Sequence, residues 1–209
     1  MGQGDRSVRR VRAKPPLRTL ETRRVADMLR VFGVDTNGDP NFRDTPDRIA
    51  RYLMYHFYAN GTVERETDAL KVATFPTQYE GMVVATDIRA NGMCPHHLLP
   101  VLYRIDLGYL PKGKAIGVSK LVRLAKLIAR RPVLQEDLTT RLADVLNSAL
   151  GTPHVAVVVK GIHMCMVARG VEQSVPIITA TMRNKFLVND AGLKDEFYEA
   201  INRREFRML

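Results

Sequence analysis

Apolar residues recur at helical spacing near the start of the chain and again in its second half. A helix is predicted over residues 19–33, where Gly33 is typical of a helix stop. Its apolar face would carry Leu20, Val25, Met28, Leu29 and Phe32. A second helix is predicted over residues 45–58, with Thr45 as its cap and Pro46 in its first turn.

The pattern changes to that of strands after residue 80. Residues 82–90 and 101–110 are rich in β-branched and aromatic residues and predict two strands separated by the irregular segment 91–100. Residues 154–167 predict either a pair of strands or one bent strand. The strands therefore come in adjacent groups along the chain.

Two amphipathic helices separate these groups of strands. The first begins at Ser119 and ends before Pro132, and the second covers about residues 135–150 and stops at Gly151. A C-terminal helix is predicted over residues 194–204. Since strands do not alternate singly with helices, this order favours an α+β fold with an antiparallel sheet over a doubly wound parallel sheet.

The predicted domain organisation has three parts. Residues 1–17 form a basic, disordered tail with Pro15-Pro16 and no apolar periodicity, residues 18–65 form an N-terminal helical extension, and residues 66–209 form the domain that carries the chemistry. The length of 209 residues suits one domain with a small addition.

Composition narrows the class of protein. A hydrophobic fraction of 45% and a charged fraction of 26% are ordinary for a soluble globular protein. No apolar run approaches the length of a membrane span, and no apolar segment follows the first basic residues, so a cytoplasmic location is expected. Two cysteines, Cys94 and Cys165, are too few for a disulfide scaffold.

Positive charge is concentrated in the first 24 residues of the chain. The net charge is +10, and residues 1–24 hold eight arginines and lysines against two acids. Such an arm can contact nucleic acid. Because no aromatic residue lies among the arginines, a solvated tail is the favoured interpretation.

The two cysteines and three of the five histidines fall in two short segments. Cys94 and His97 lie three residues apart in one predicted turn, and Cys165 lies on a predicted strand. Three protein ligands with an open fourth position are typical of catalytic zinc sites, whereas structural sites are closed by four ligands.

Adjacent histidines rarely bind one metal ion, so one of His96 and His97 is expected to be free for proton transfer. His163 is two residues before Cys165 and would share its strand face. The alternative for each segment is a chance Cys–His pair, which the clustering makes less favourable.

A phosphate site is predicted where residues 117–123 open a helix. The helix N-terminus, the Ser119 hydroxyl, and Lys120 and Arg123 on one side of the helix would attract a polyanion, and Arg169 could close the pocket. The alternative is an ordinary capped surface helix.

Glu136 follows Gln135 at the start of the next predicted helix. Its carboxylate could accept from both the ring N–H and the exocyclic amine of guanine. From the residues alone, an acid favoured by the helix dipole remains the better interpretation.

Together these segments resemble the GTP cyclohydrolase I family over roughly residues 20–205. The strings that carry the resemblance are CPHHLLP (94–100), GYLPKGKAIGVSKLVRL (108–124), ARRPVLQEDLT (129–139), GIHMCMVARGV (161–171) and DTPDRIARYL (44–53). The resemblance implies the T-fold, or tunnelling fold, with helices on one face of an antiparallel sheet. It also implies a toroidal homodecamer with active sites shared between neighbouring subunits.

The resemblance further implies a set of site residues. Zinc would be bound by Cys94, His97 and Cys165, while His96, His163 and Ser119 would be catalytic. The triphosphate would be bound by Ser119, Lys120, Arg123 and Arg169, and the purine by Gln135 and Glu136. The implied reaction opens the guanine ring of GTP, releases formate and forms 7,8-dihydroneopterin triphosphate for tetrahydrofolate or another pterin.

The chain departs from the family pattern at Pro95, at residues 90–93 and at residues 179–186. These departures leave open an enzyme that stops at a ring-opened intermediate or serves 7-deazaguanine synthesis. A T-fold nitrile reductase is disfavoured because its chemistry leaves the histidine pair idle. A function of a different class is a zinc-stabilised nucleic-acid-binding protein. Its zinc ion should have four protein ligands, and it would have no need of a free His96 or His163.

Overall fold

The computed structural model of the protein describes residues 19–57 and 73–202. Two helices come first, α1 over Thr19–Val31 and α2 over Thr45–Phe57. Both lie within the predicted ranges. On α1, Val25 is buried whereas Leu20 and Met28 are exposed in the single chain, as is Phe32 just after the helix.

A four-stranded antiparallel sheet forms the centre of the remaining chain. Its strands are β2 (Val83–Met93), β3 (Pro100–Tyr109), β5 (Val155–His163) and β6 (Ile177–Met182), in the order β2-β3-β5-β6. A separate two-stranded sheet pairs β1 (Thr74–Pro76) with β4 (Lys114–Ile116). The antiparallel sheet with helices confirms the predicted α+β class.

Two long helices cover one face of this sheet, α3 over Val118–Ala129 and α4 over Gln135–Leu150. Alternation along β5 explains the packing, because Val155, Val157 and Val159 enter the core beneath these helices. Ala156 and Val158 point to the other face, where they pack with residues of the C-terminal helix, Leu193–Asn202. Gly151, with φ of +65°, ends α4 as predicted.

The segment after β5 differs from its prediction. Residues 154–167 were expected to be strand throughout, but β5 ends at His163 and Met164–Val167 form a helical turn, α5. The β-branched run stops at Ile162, and methionine favours a helix. The expectation that His163 and Cys165 lie on one strand face is therefore wrong, since Cys165 belongs to the turn.

The ends of other elements also shift. Strand β2 extends to Met93, into the segment predicted to be irregular, and β6 was not predicted as a strand. The C-terminal helix α6 spans Leu193–Asn202, and the predicted residues 203 and 204 lie outside the described part of the chain.

The chain divides into two compact units between Met54 and Tyr55. The predicted tail, residues 1–17, and the predicted boundary between residues 65 and 66 lie outside the described ranges. Within those ranges, none of the helices has both the length and the hydropathy needed to cross a membrane.

Candidate metal centre and active site

The turn between β2 and β3 presents the first two predicted metal ligands. Cys94 N–H donates to the Leu99 carbonyl at 2.9 Å, and Leu98 N–H donates to the Cys94 carbonyl at the same distance. Leu98 takes a positive φ of 54° to close this turn. The Cys94 side chain is consequently buried, while His96 and His97 are exposed.

The third predicted ligand reaches the same place from α5. Donor atoms of Cys94, His97 and Cys165 all lie within 4.8 Å of one another, so this group could hold a metal ion. Cys94 Sγ and His97 Nδ1 are 3.7 Å apart. Two zinc ligands at tetrahedral angles and ordinary bond lengths are separated by about 3.5–3.8 Å, so this spacing fits zinc.

Burial raises the pKa of the Cys165 thiol, and the neighbouring Cys94 raises it further, whereas Arg169 lowers it. A bound cation reverses the effect of burial because metal coordination requires the thiolate. A metal ion that binds here therefore has to displace the proton of the Cys165 thiol.

His96 lies beside the three-residue group without joining it. Its Nδ1 is 3.9 Å from Cys94 Sγ, and its ring is turned 73° from that of His97. Both Nδ1 atoms lie near Cys94 Sγ, and of the two histidines His97 belongs to the group of three.

His163 ends β5 and contacts the first residue of α4. Its Nε2 is 2.9 Å from Gln135 Oε1. Burial lowers the pKa of His163, and the nearby Glu136 carboxylate opposes that effect. Gln135 is buried, whereas Glu136 is exposed beside it.

Tyr103 is a site neighbour that the sequence reasoning missed. Burial raises the pKa of its hydroxyl, and the nearby Cys94, Glu136 and Cys165 raise it further, so all three lie around this side chain. Tyr103 and His163 meet edge to face, with ring centroids 6.4 Å apart. The sequence shows only an aromatic residue in a predicted strand, and it is the structure that pairs Tyr103 with Gly161 of β5.

Comparison with known proteins decides the family. The sequence profile of GTP cyclohydrolase I matches residues 21–202. The GTP cyclohydrolase 1 of Methylococcus capsulatus is 37% identical over 179 residues, which cover 86% of this chain and 95% of that protein. The chain belongs to the GTP cyclohydrolase I family.

Two further matches agree with this assignment. GTP cyclohydrolase 1 of Clostridium perfringens strain ATCC 13124 is 38% identical over 84% of this chain and 92% of its own length. That of Drosophila melanogaster is 36% identical over 90% of this chain, a match that spans 59% of the Drosophila protein.

A fold comparison gives only a weak likeness. The apo archaeosine synthase QueF-Like matches 50% of this chain with 19% identity and a TM-score of 0.40. Membership of the GTP cyclohydrolase I family, together with the antiparallel α+β sheet, confirms the predicted T-fold.

The residues that resemble the GTP cyclohydrolase I triphosphate contacts are divided in space. Ser119 and Lys120 lie in the first turn of α3, after Gly117, and Arg123 lies one turn further along. The other end of α3 adjoins the end of β2, just before the turn that carries Cys94 and His97. A Cβ on Gly92, two residues before Cys94, would come within 2.6 Å of the Ala129 carbonyl. Ten residues of helix place Ser119 about 15 Å from that end.

Arg169 differs from these cations because its charge acts on Cys165. Within one chain, Arg169 lies near Cys165, and Glu136 lies near His163 and Tyr103. Ser119 and Lys120 lie at the far end of α3.

Proposed function

We propose that this chain is a zinc-dependent hydrolase that opens the imidazole ring of the guanine of GTP, releases formate and forms 7,8-dihydroneopterin triphosphate. The observation that carries the proposal is the convergence of Cys94, His97 and Cys165 within 4.8 Å, with His96 beside them. Membership of the GTP cyclohydrolase I family supports the substrate and the reaction.

The donor set suits a catalytic zinc ion. Two thiolates and one imidazole are ligands that zinc prefers, and three protein ligands leave a position for water. When bound, zinc supplies a Lewis acid that brings the pKa of a bound water to about 7. The group has three members among the described residues, which favours an open site over the closed site of a zinc-stabilised binding module.

The proton transfers are assigned to side chains around this group. His96 donates a proton to the ring nitrogen of the guanine as the ring opens, since it lies next to the ligands but outside their set. His163 and Ser119 serve the later transfers, in which the ribose opens and the pterin ring closes. Histidine suits these steps because its pKa lies near working pH.

The substrate is oriented at both of its ends. The exposed Glu136 carboxylate accepts from the ring N–H and the exocyclic amine of guanine. Ser119, Lys120, Arg123 and Arg169 bind the triphosphate, with the N-terminus of α3 adding backbone donors.

The residues proposed to bind the triphosphate are separated from the metal group within one chain. This separation supports an active site shared between two copies of the chain. Ser119 and Lys120 lie about 15 Å along α3 from the end that adjoins β2. In a ring of identical subunits, the α3 N-terminus of one copy can complete the metal half of the next. We propose that the assembly is the homodecamer that the family resemblance implies, and that it works in the cytoplasm.

A mixed assembly tests both the triphosphate site and its sharing. Lys120→Ala alone is expected to weaken the binding of GTP far more than that of guanosine, because only GTP carries the triphosphate. When Lys120→Ala and His163→Ala chains are co-expressed, about one quarter of the shared sites would combine two intact halves. Turnover should therefore recover to about one quarter of the wild-type rate, as measured on purified mixed assemblies.

The matched control pairs Lys120→Ala with Arg123→Ala, whose lesions fall on the same half and should not complement each other. Equal losses for GTP and guanosine in Lys120→Ala would make Lys120 a structural residue. If the Lys120→Ala and His163→Ala mixture recovers nothing, the site lies within one chain.

A further inference from the structure

We infer that Gln135 is a positioning residue that holds the His163 proton on Nε2 and so leaves the lone pair of the neutral ring on Nδ1. The family resemblance assigned Gln135 to the purine. Its consequence for turnover rests on the proposed function, but the arrangement of hydrogen bonds stands without it.

The orientation of the Gln135 amide follows from its neighbours. Nε2 lies 3.1 Å from the Val159 carbonyl, 2.9 Å from the Ile177 carbonyl and 3.2 Å from Thr179 Oγ1. Carbonyl oxygens only accept, so the amide NH₂ must face them. The reverse orientation would place the Gln135 oxygen against two carbonyl oxygens.

The threonine hydroxyls agree with this orientation. Thr139 Oγ1–H donates to the Gln135 carbonyl at 2.7 Å, so the hydrogen bond between the two threonine hydroxyls must have Thr179 as its donor. Thr179 Oγ1 is thereby left to accept from Gln135 Nε2. All three polar atoms around the Gln135 NH₂ group are acceptors, and the amide has one orientation.

The tautomer of His163 is the consequence. Gln135 Oε1, which can only accept, faces His163 Nε2 at 2.9 Å, so Nε2 must carry a proton. In the neutral imidazole the other nitrogen, Nδ1, then has the lone pair. Within the described residues the structure gives Nδ1 no hydrogen bond.

The fold reserves space for this contact. A Cβ on Gly161 would clash with Gln135 Oε1 and come within 3.0 Å of the Tyr103 ring, so only glycine at this β5 position lets the amide approach. The two carbonyls that fix the amide belong to β5 and to the first residue of β6. Because the Gln135 side chain uses its hydrogen bonds within the protein, reading of the purine falls to Glu136.

The tautomer can be measured directly on the zinc-loaded protein. With ¹⁵N-labelled histidine, two-bond ¹H–¹⁵N correlation spectra separate the tautomers of the five histidines, and the signals lost in His163→Gln identify His163. At about pH 8, where an ordinary histidine is neutral, we expect a protonated Nε2 and a bare Nδ1. A protonated Nδ1 at His163 in the wild type would overturn the inference.

A variant then tests the effect on turnover. Gln135→Met keeps the side-chain length and removes the acceptor, so His163 should populate both tautomers. We expect kcat for GTP to fall about 10- to 100-fold, the range seen when metal-bound imidazoles lose their hydrogen-bond partners, while KM stays nearly constant. The matched control is Gln78→Met, an exposed glutamine outside the site, which should change neither reading.

The outcomes separate this inference from the proposed function. A raised KM with an unchanged His163 tautomer in Gln135→Met would overturn the inference, because it is the result expected if Gln135 binds the purine. If the wild type does not consume GTP, the proposed function fails, and the wild-type tautomer still decides the role of Gln135. If Gln135→Met does not fold, the tautomer of His163 in the wild type still tests the inference.

Discussion

Replacing either cysteine with serine is expected to remove the metal and to lower GTP turnover by about 10³-fold or more, since a catalytic metal supplies several kcal/mol of stabilisation. Cys94 lies in the turn after β2 and Cys165 in α5, and donor atoms of these cysteines and of His97 lie within 4.8 Å of one another. Serine keeps the size of the side chain but offers a poor zinc ligand, so the fold should survive. Zinc per chain, measured by elemental analysis beside the turnover assay, checks this.

The same site predicts a direction with pH. Burial and mutual proximity raise the pKa of Cys165 in the metal-free protein, so zinc must displace a proton to bind. Metal affinity should therefore fall as the pH is lowered, and proton release should accompany loading. Full zinc content in both Cys94→Ser and Cys165→Ser would remove the proposed centre.

Replacing His96 or His163 with alanine is expected to separate metal binding from catalysis. Both variants should keep zinc, because His96 lies outside the group of three ligands and His163 is held by Gln135. Turnover should fall by about 10²-fold or more if each acts as a general acid or base. Zinc content, circular dichroism and steady-state rates provide the comparison.

The two histidine variants should also stop at different stages. His96→Ala should block the first attack on the purine, so that no formamide accumulates. His163→Ala should still open the imidazole ring and accumulate a formylated or ring-opened species that mass spectrometry detects. Zinc lost in proportion to activity would make that histidine a ligand, and normal turnover by both variants would rule out the mechanism.

Local signals made most elements predictable. Helices α3 and α4 follow their predicted ranges closely because their amphipathic stripes are bounded by Pro132 and Gly151. The turn holding Cys94 and His97 was predicted from spacing alone. Cys165 was predicted to join them from a strand, which is wrong, because the periodicity did not show that β5 ends and a helical turn follows.

The rest of the site depends on contacts between distant segments. Tyr103 approaches Cys94, Cys165 and Glu136 only because β3 pairs with β5, and no residue near Tyr103 in the sequence signals this. The hydrogen bonds of Gln135 likewise join the start of α4 to β5 and β6. The separation of Lys120 from the metal group depends on how α3 packs against the sheet, which the sequence pattern does not show.

The most direct measurement of the central claim is the product balance of zinc-loaded protein incubated with GTP. Formate is quantified enzymatically, and the pterin is quantified by fluorescence after oxidation. The account predicts that GTP disappears with equal amounts of formate and 7,8-dihydroneopterin triphosphate, and that neither forms with Cys165→Ser. Formate or a ring-opened nucleotide without pterin, or no consumption of GTP by fully loaded protein, would contradict it.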